Sequence, residues 1–371
     1  MRILPNLSSP YTGRGTIRKR LPLLSGAFML SCLMSAPGPA TTPGFPGAGP
    51  DYRAWVAASL PGNPEGLAVD SAGTIYAGLW KTGTIVRLGP HGGYQRIATV
   101  PSEELGKRGM TVGMELGPDG KLYVAYVWNY TEAEEADPLH PACRDSRDVY
   151  TGIYQVDTAS GTVSPFLTKK DGWPVCFPDD IAFDSGGNLY VTDLTLSGIW
   201  KITPGRSHSL WSADALLQWP PPPFTGSPEG ANDLELAPDG KSLYIVTDGS
   251  PAILNIPIRE DGSAGQPIVV SRDLTLLDGI AVDERGNIYV SEPLRNEISV
   301  FSPDATQRIV VGSEDTAPIS SPTSLIYHNG TLCVANSGMG IIPREPRNVI
   351  CLSGFKRPNA SRRNPLPRRD P

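Results

Sequence analysis

Residues 179–193 read DDIAFDSGGNLYVTD. Two short runs rich in Ile, Val, Leu and Tyr flank a Gly-Gly-Asn turn, the mark of a tight β-hairpin. The same arrangement returns at 65–79 (EGLAVDSAGTIYAGL), 112–126 (VGMELGPDGKLYVAY), 232–248 (NDLELAPDGKSLYIVTD), 278–292 (DGIAVDERGNIYVSE) and 323–336 (TSLIYHNGTLCVAN). The turn glycines Gly73, Gly120, Gly187, Gly240, Gly286 and Gly330 are spaced 47, 67, 53, 46 and 44 residues apart. A third apolar run follows each hairpin, at 84–88, 152–156, 198–202, 252–256, 297–301 and 348–352. A fourth follows in five of the six units, at 96–100, 163–167, 208–212, 267–271 and 308–312. Repeats of this length with four β-runs each predict an all-β chain, a six-bladed β-propeller with four-stranded blades. The sixth unit lacks its fourth run. Residues 52–59 (YRAWVAAS) precede the first unit without a partner and are expected to supply that edge, closing the ring and removing its free strand edges.

Outside the propeller, assigned to 51–354, charge and composition change. Residues 1–36 carry five basic side chains and no acid, with Arg18, Lys19 and Arg20 ahead of an apolar run from Leu21 to Ala36, too short to span a bilayer comfortably. This reads as a signal peptide cleaved between Ala36 and Ala40, followed by a Pro/Gly linker at 37–50. Residues 355–371 form a basic tail expected to be solvated. Removing residues 1–36 and 356–371 leaves 21 basic and 37 acidic residues, so the body is strongly acidic. That disfavours nucleic acid as a partner and favours cations. The expected protein is secreted or periplasmic, monomeric, without stable membrane insertion after cleavage, and acts on a small-molecule substrate. Cys32 follows a poor lipoprotein box and is expected to leave with the signal; lipidation there is the minor alternative. The four remaining cysteines favour two disulfides. Cys333 and Cys351 fall on neighbouring strands of one blade and are paired, which leaves Cys143 with Cys176.

The first residue of each innermost strand should lie beside the ring axis. Aligned on the turn glycines, that column reads Glu65, Val112, Asp179, Asn232, Asp278 and Thr323. Three carboxylates converging on an axis repel one another unless protonated or bridged by a cation. All-oxygen donors suit Ca²⁺ best, with Mg²⁺, Mn²⁺ and Zn²⁺ behind it. The bland alternative is a set of strand-start residues capping backbone. Asp193, Asp248 and Glu292 end the second strands and read as solvated ends, with support of the column as the alternative. Long connections at 128–150, 219–224 and 336–347 gather on the column's face. They bring His140 over it and offer Trp80, Trp128 and Tyr130 as walls of an apolar pocket or as ordinary loop packing.

The segments PEGLAVD (64–70), FPDDIAFDSGGNLYVTD (177–193), GANDLELAPDG (230–240) and LLDGIAVDERGNIYV (276–290) resemble the SMP-30/gluconolactonase/luciferin-regenerating-enzyme family, and the likeness runs over residues 55–354. The resemblance implies a six-bladed propeller with one catalytic divalent ion on the axis and hydrolysis of a lactone. Carried over residue by residue, it implies Glu65, Asn232 and Asp278 as metal ligands and Asp278 and Asp179 as catalytic groups. Asp179 replaces an Asn of the family pattern, which adds negative charge. Val112 stands where paraoxonases, more distant relatives, carry a His. NHL-repeat propellers share the strand texture without the polar column, so a non-catalytic binding propeller with a structural ion is a second reading. A strictosidine-synthase-like enzyme of specialised metabolism is a third.

Overall fold

The computed structural model describes residues 52–100, 109–128, 150–218, 230–272, 274–306, 308–312, 319–338 and 346–354, all within the compact unit Gly44–Pro371. The chain enters on β1 (Arg53–Ser59). Blade 1 is β2 (Pro64–Val69), β3 (Ile75–Leu79), β4 (Thr84–Leu88) and β5 (Tyr94–Thr99), and blade 2 is β6 (Met110–Leu116), β7 (Leu122–Trp128), β8 (Tyr150–Val156) and β9 (Val163–Thr168). Blade 3 is β10 (Pro178–Phe183), β11 (Leu189–Asp193), β12 (Gly198–Ile202) and β13 (His208–Ser212), and blade 4 is β14 (Ala231–Leu236), β15 (Ser242–Thr247), β16 (Ala252–Pro257) and β17 (Ile268–Ser271). Blade 5 is β18 (Ile280–Val282), β19 (Ile288–Glu292), β20 (Glu297–Phe301) and β21 (Arg308–Val311). Blade 6 is β22 (Pro322–His328), β23 (Thr331–Asn336), β24 (Asn348–Ser353) and, outermost, β1, which pairs antiparallel with β24 from Arg53↔Ser353 to Ser59↔Asn348. The expected closure by 52–59 is therefore the observed one. Each innermost strand packs on that of the next blade, and β22 packs on β2 to complete the ring.

The inner strands are apolar and buried along nearly their whole length, as in β3, β11 and β19, because each sheet is covered on both faces by its neighbours. The result is one buried apolar cluster at each of the six blade interfaces. The largest fully buried side chain, Trp173, belongs to the cluster between blades 2 and 3. The hairpin turns explain why the repeat is so visible. Asp184 Oδ1 accepts the Gly186 and Asn188 N–H groups at 2.9 Å each, while Oδ2 accepts from Asn188 Nδ2 at 2.7 Å and from the Tyr190 hydroxyl at 3.2 Å. Asp283 repeats this with Arg285, Asn287 and Tyr289, and Asp70 with Ala72, Thr74 and Tyr76. The six turn glycines have φ between +69° and +82°, a region L-residues with a Cβ avoid. The D-x-x-G-x-x-Y texture is thus a turn mechanism, and it carries no function of its own.

Cys333 and Cys351 face each other across β23 and β24 and form a disulfide, with Cα atoms 4.1 Å apart. Cys176 is also disulfide-bonded; Cys143, assigned to it from the sequence, lies outside the described residues. So do Tyr130, His140, residues 219–229, most of the stretch after Asn336, residues 1–51 and residues 355–371.

Candidate metal centre

A strand of period two sends successive side chains to opposite faces. Five of the six innermost strands break that rule at one place. The register slips between Pro64 and Leu67, Thr111 and Met114, Pro178 and Ile181, Ala231 and Leu234, and Pro322 and Leu325. In blade 5 the same pair, Asp278 and Gly279, precedes β18, and Gly279 N–H donates to Ser291 Oγ at 2.7 Å. Each slip is a β-bulge, which leaves two residues opposite one and re-aims both. The first of each pair is the column expected from the sequence. The second column reads Gly66, Gly113, Asp180, Asp233, Gly279 and Ser324.

The bulges converge. A cavity of about 10 Å³, room for one water-sized sphere, is lined by Glu65, Val112, Asp179, Asn232 and Asp278 together with second-column residues. The structure thus gathers five members of the predicted column around one point. The sixth, Thr323, is buried and bonds to Glu65. Burial, then the Asp278 carboxylate, then that of Asp179 push the Glu65 carboxyl well above its usual range, against the lowering bond from Thr323. Glu65 Oε2 is buried with no hydrogen-bond partner. Asn232 points its Nδ2 toward the Leu277 carbonyl at 3.5 Å, which leaves Oδ1 available as an oxygen donor.

Among the described residues no three His, Cys, Asp or Glu side chains form a ready-made metal cage. The test of fit is therefore chemical. An orphaned buried carboxylate oxygen, an amide oxygen and four further carboxylates, those of Asp179, Asp180, Asp233 and Asp278, border a cavity of ionic size, with no sulfur or imidazole donor among the residues that line it. Hard oxygen donors of this kind suit Ca²⁺, and a divalent ion would offset the burial and the repulsion that together raise Glu65. The residues fit the group that the sequence implied.

Asp193, Asp248 and Glu292 require correction. They are buried, and they are not solvated strand ends. Asp193 accepts the Cys176 and Phe177 N–H groups at 2.9 and 3.2 Å, and burial pushes its carboxyl up to about 6. Glu292 accepts the Thr275 N–H and hydroxyl at 3.1 and 2.8 Å and pairs with Arg308 at 2.6 Å. Asn336 likewise accepts the Ser320 N–H at 3.0 Å. In blades 3, 5 and 6 the end of the second strand thus anchors the crossover that delivers the column residue. Trp80 is partly buried and packs against the apolar cluster between blades 2 and 3.

Below the column the channel widens into a cavity of about 210 Å³ bordered by Glu115, Asp180, Asp233 and Glu235. Sequence reasoning passed over all four. For Glu115 and Glu235 the signal was a polar residue inside an otherwise apolar strand, in MEL and LEL. Burial followed by the Asp180 carboxylate pushes Glu235 up to about 8, and burial followed by Glu235 raises Glu115 well above its usual range.

A closed ring of six blades with acidic bulges on its axis defines the class, a six-bladed β-propeller with an oxygen-lined channel mouth. Within it, the chain belongs to the SMP-30/gluconolactonase/LRE-like family, whose model matches residues 147–336. A strictosidine synthase-like N-terminal model matches residues 61–88. A gluconolactonase of Zymomonas mobilis is 25% identical over 297 residues, covering 72% of this chain and 68% of that protein. Among solved structures, a gluconolactonase of Xanthomonas campestris aligns with TM-score 0.58 at 15% identity, over 82% of this chain and 90% of its own. A calcium-binding regucalcin of Agrobacterium tumefaciens aligns with TM-score 0.56 at 15% identity, over 81% and 92%. At such identities the structural matches speak for the fold.

Proposed function

We propose that the protein is a divalent-cation-dependent hydrolase of a lactone or ester, working at the channel mouth. The observation that carries this reading is the convergence of Glu65, Asn232, Asp278 and Asp179 on one ion-sized cavity with a buried carboxylate oxygen left unpartnered. Glu65, Asn232 and Asp278 would hold the ion. When bound, a divalent cation polarises an ester carbonyl and stabilises the developing oxyanion. Asp278 is partly exposed, whereas Asp179 and Asn232 are buried. Glu65 is likewise partly exposed, and of the two it is the Asp278 carboxylate that would take a proton from attacking water or attack the acyl carbon, the role the family resemblance implies for it. Asp179 orients the water or the substrate. The gluconolactonase and calcium-binding relatives support the same substrate class and the same ion.

The test is metal analysis of the purified protein followed by a lactone panel before and after chelation. Hydrolysis is expected to vanish on chelation and return with Ca²⁺, and Asp278→Asn is expected to lower kcat/KM by at least about 100-fold. Turnover that survives both treatments would reject the mechanism. Loss of stability on chelation with no turnover of any lactone or ester would point instead to the non-catalytic binding propeller.

A further inference from the structure

The second residue of each bulge is occupied in three ways, by glycine, by an acid and, in blade 6, by Ser324, whose Oγ accepts the Leu67 N–H of blade 1 at 3.2 Å. In blades 1, 2 and 5 it is glycine, and there is no room for more. A Cβ on Gly66 would run into the Val112 carbonyl oxygen, one on Gly113 into Asp180, and one on Gly279 into the Thr323 carbonyl oxygen. In blades 3 and 4 it is an acid, and the two acids bond to each other, Asp180 to Asp233. Asp233 Oδ2 also accepts the Ile280 N–H of blade 5 at 2.9 Å, and Asp180 Oδ2 accepts the Leu234 N–H of blade 4 at 3.3 Å. Buried acids beside three further carboxylates are costly to keep. Glycine serves the same place in three other blades, and the uncharged Ser324 makes the blade-to-blade bond in the sixth, so joining the blades at this position does not require an acid.

What the acids do is visible from their neighbours. Asp233 follows the ligand candidate Asn232, and Ile280 lies two residues beyond the ligand candidate Asp278. The bond from Ile280 to Asp233 ties the two ligand-bearing bulges on one side. The contact of Asn232 Nδ2 with the Leu277 carbonyl ties them on the other. Asp180, adjacent to Asp179, extends the clasp to blade 3. We infer that Asp233, held by Asp180, is a positioning residue that fixes the spacing of Asn232 and Asp278 and so sets the site's affinity for its cation. This rests on the proposed cation site. Groups that orient ligands from behind are typically worth 10–100-fold in metal affinity.

The experiment titrates Ca²⁺ into chelator-treated full-length protein by calorimetry and records the melting temperature of each variant. Asp233→Ala is expected to weaken Ca²⁺ binding at least about tenfold. Asp233→Asn keeps an acceptor for Ile280 and a donor for Asp180, and is expected to bind within about threefold of the parent. Glu115→Ala is the control. Glu115 makes the same kind of blade-to-blade bond, accepting the Phe183 N–H at 2.6 Å, but away from the ligands. It is expected to lower the melting temperature and leave the affinity unchanged. If Asp233→Ala does not fold, Asp233→Ser replaces it, with at least a threefold loss expected because one short hydroxyl cannot make both contacts. Parent-like affinity in the Ala or Ser variant, an Asn variant as weak as Ala, or an equal affinity loss in Glu115→Ala each overturns the inference while leaving the cation site standing. A parent protein that binds no divalent cation overturns the site, and the inference with it.

Discussion

Glu235 shows what one channel side chain contributes. Its carboxyl is pushed up to about 8 by burial and by Asp180, whereas in the unfolded chain it titrates near the ordinary Glu range. The folded state therefore holds a proton that the unfolded state has released, and stability from this group is full at low pH and is lost as pH rises through about 8. Glu235→Gln removes that dependence. Denaturant unfolding of chelated protein is expected to show the variant more stable by on the order of 1–3 kcal/mol at about pH 8.5 and little changed at about pH 5, as midpoint shifts without a change in slope. Asp180 and Asp233 also mark where the sequence stops being legible. Glu65, Asp179, Asn232 and Asp278 could be read because they begin strands at a fixed distance from a turn glycine. Asp180 and Asp233 could not, because strict alternation sends the residue after a channel-facing one away from the channel, and the bulge that reverses this leaves no mark in the pattern. Asp193 and Glu292 were misread for a related reason: an acid at a strand end looks solvated until the crossover that donates to it is seen.

The element that decides the site is the bulged inner strand, and its weakest tolerance lies at its glycines. Gly66 has no positive φ to protect. Its constraint is the approach of the blade 2 carbonyl at Val112. Gly66→Ala forces blades 1 and 2 apart and is expected to cost ~1–3 kcal/mol, with a loss of cation affinity because Glu65 moves with the strand. The companion change Gly89→Ala meets nothing closer than 3.6 Å and is expected to be nearly silent. Paired thermal melts and Ca²⁺ titrations of the two variants check this. The strands themselves are readable to within a residue or two, because turn chemistry and runs of β-branched and aromatic residues agree in every blade. The long connections at 129–149 and 219–229 follow neither pattern, so the sequence gives their place on the ring and no more.

At the scale of the molecule, the sheet ladder and one covalent bond share the work of closure. The disulfide joins residues 18 apart inside the blade that takes its outer strand from the other end of the chain. Replacing Cys333 and Cys351 by Ala is expected to cost about 3 kcal/mol of unfolding free energy while leaving lactone turnover unchanged, as read by denaturant melts and initial rates. Composition and repeat length carried the ring, its blade number and its closing strand, because these depend on local hairpins repeated at a regular interval. One consequence of that closing strand concerns synthesis. Among the described residues β1 is the first strand made, and its partner β24 is the last. Until residue 353 has left the ribosome, β1 and β23 both present bare backbone, so this protein ripens only at the end of translation, and a transcript stopped after residue 347 would yield a sticky open fan.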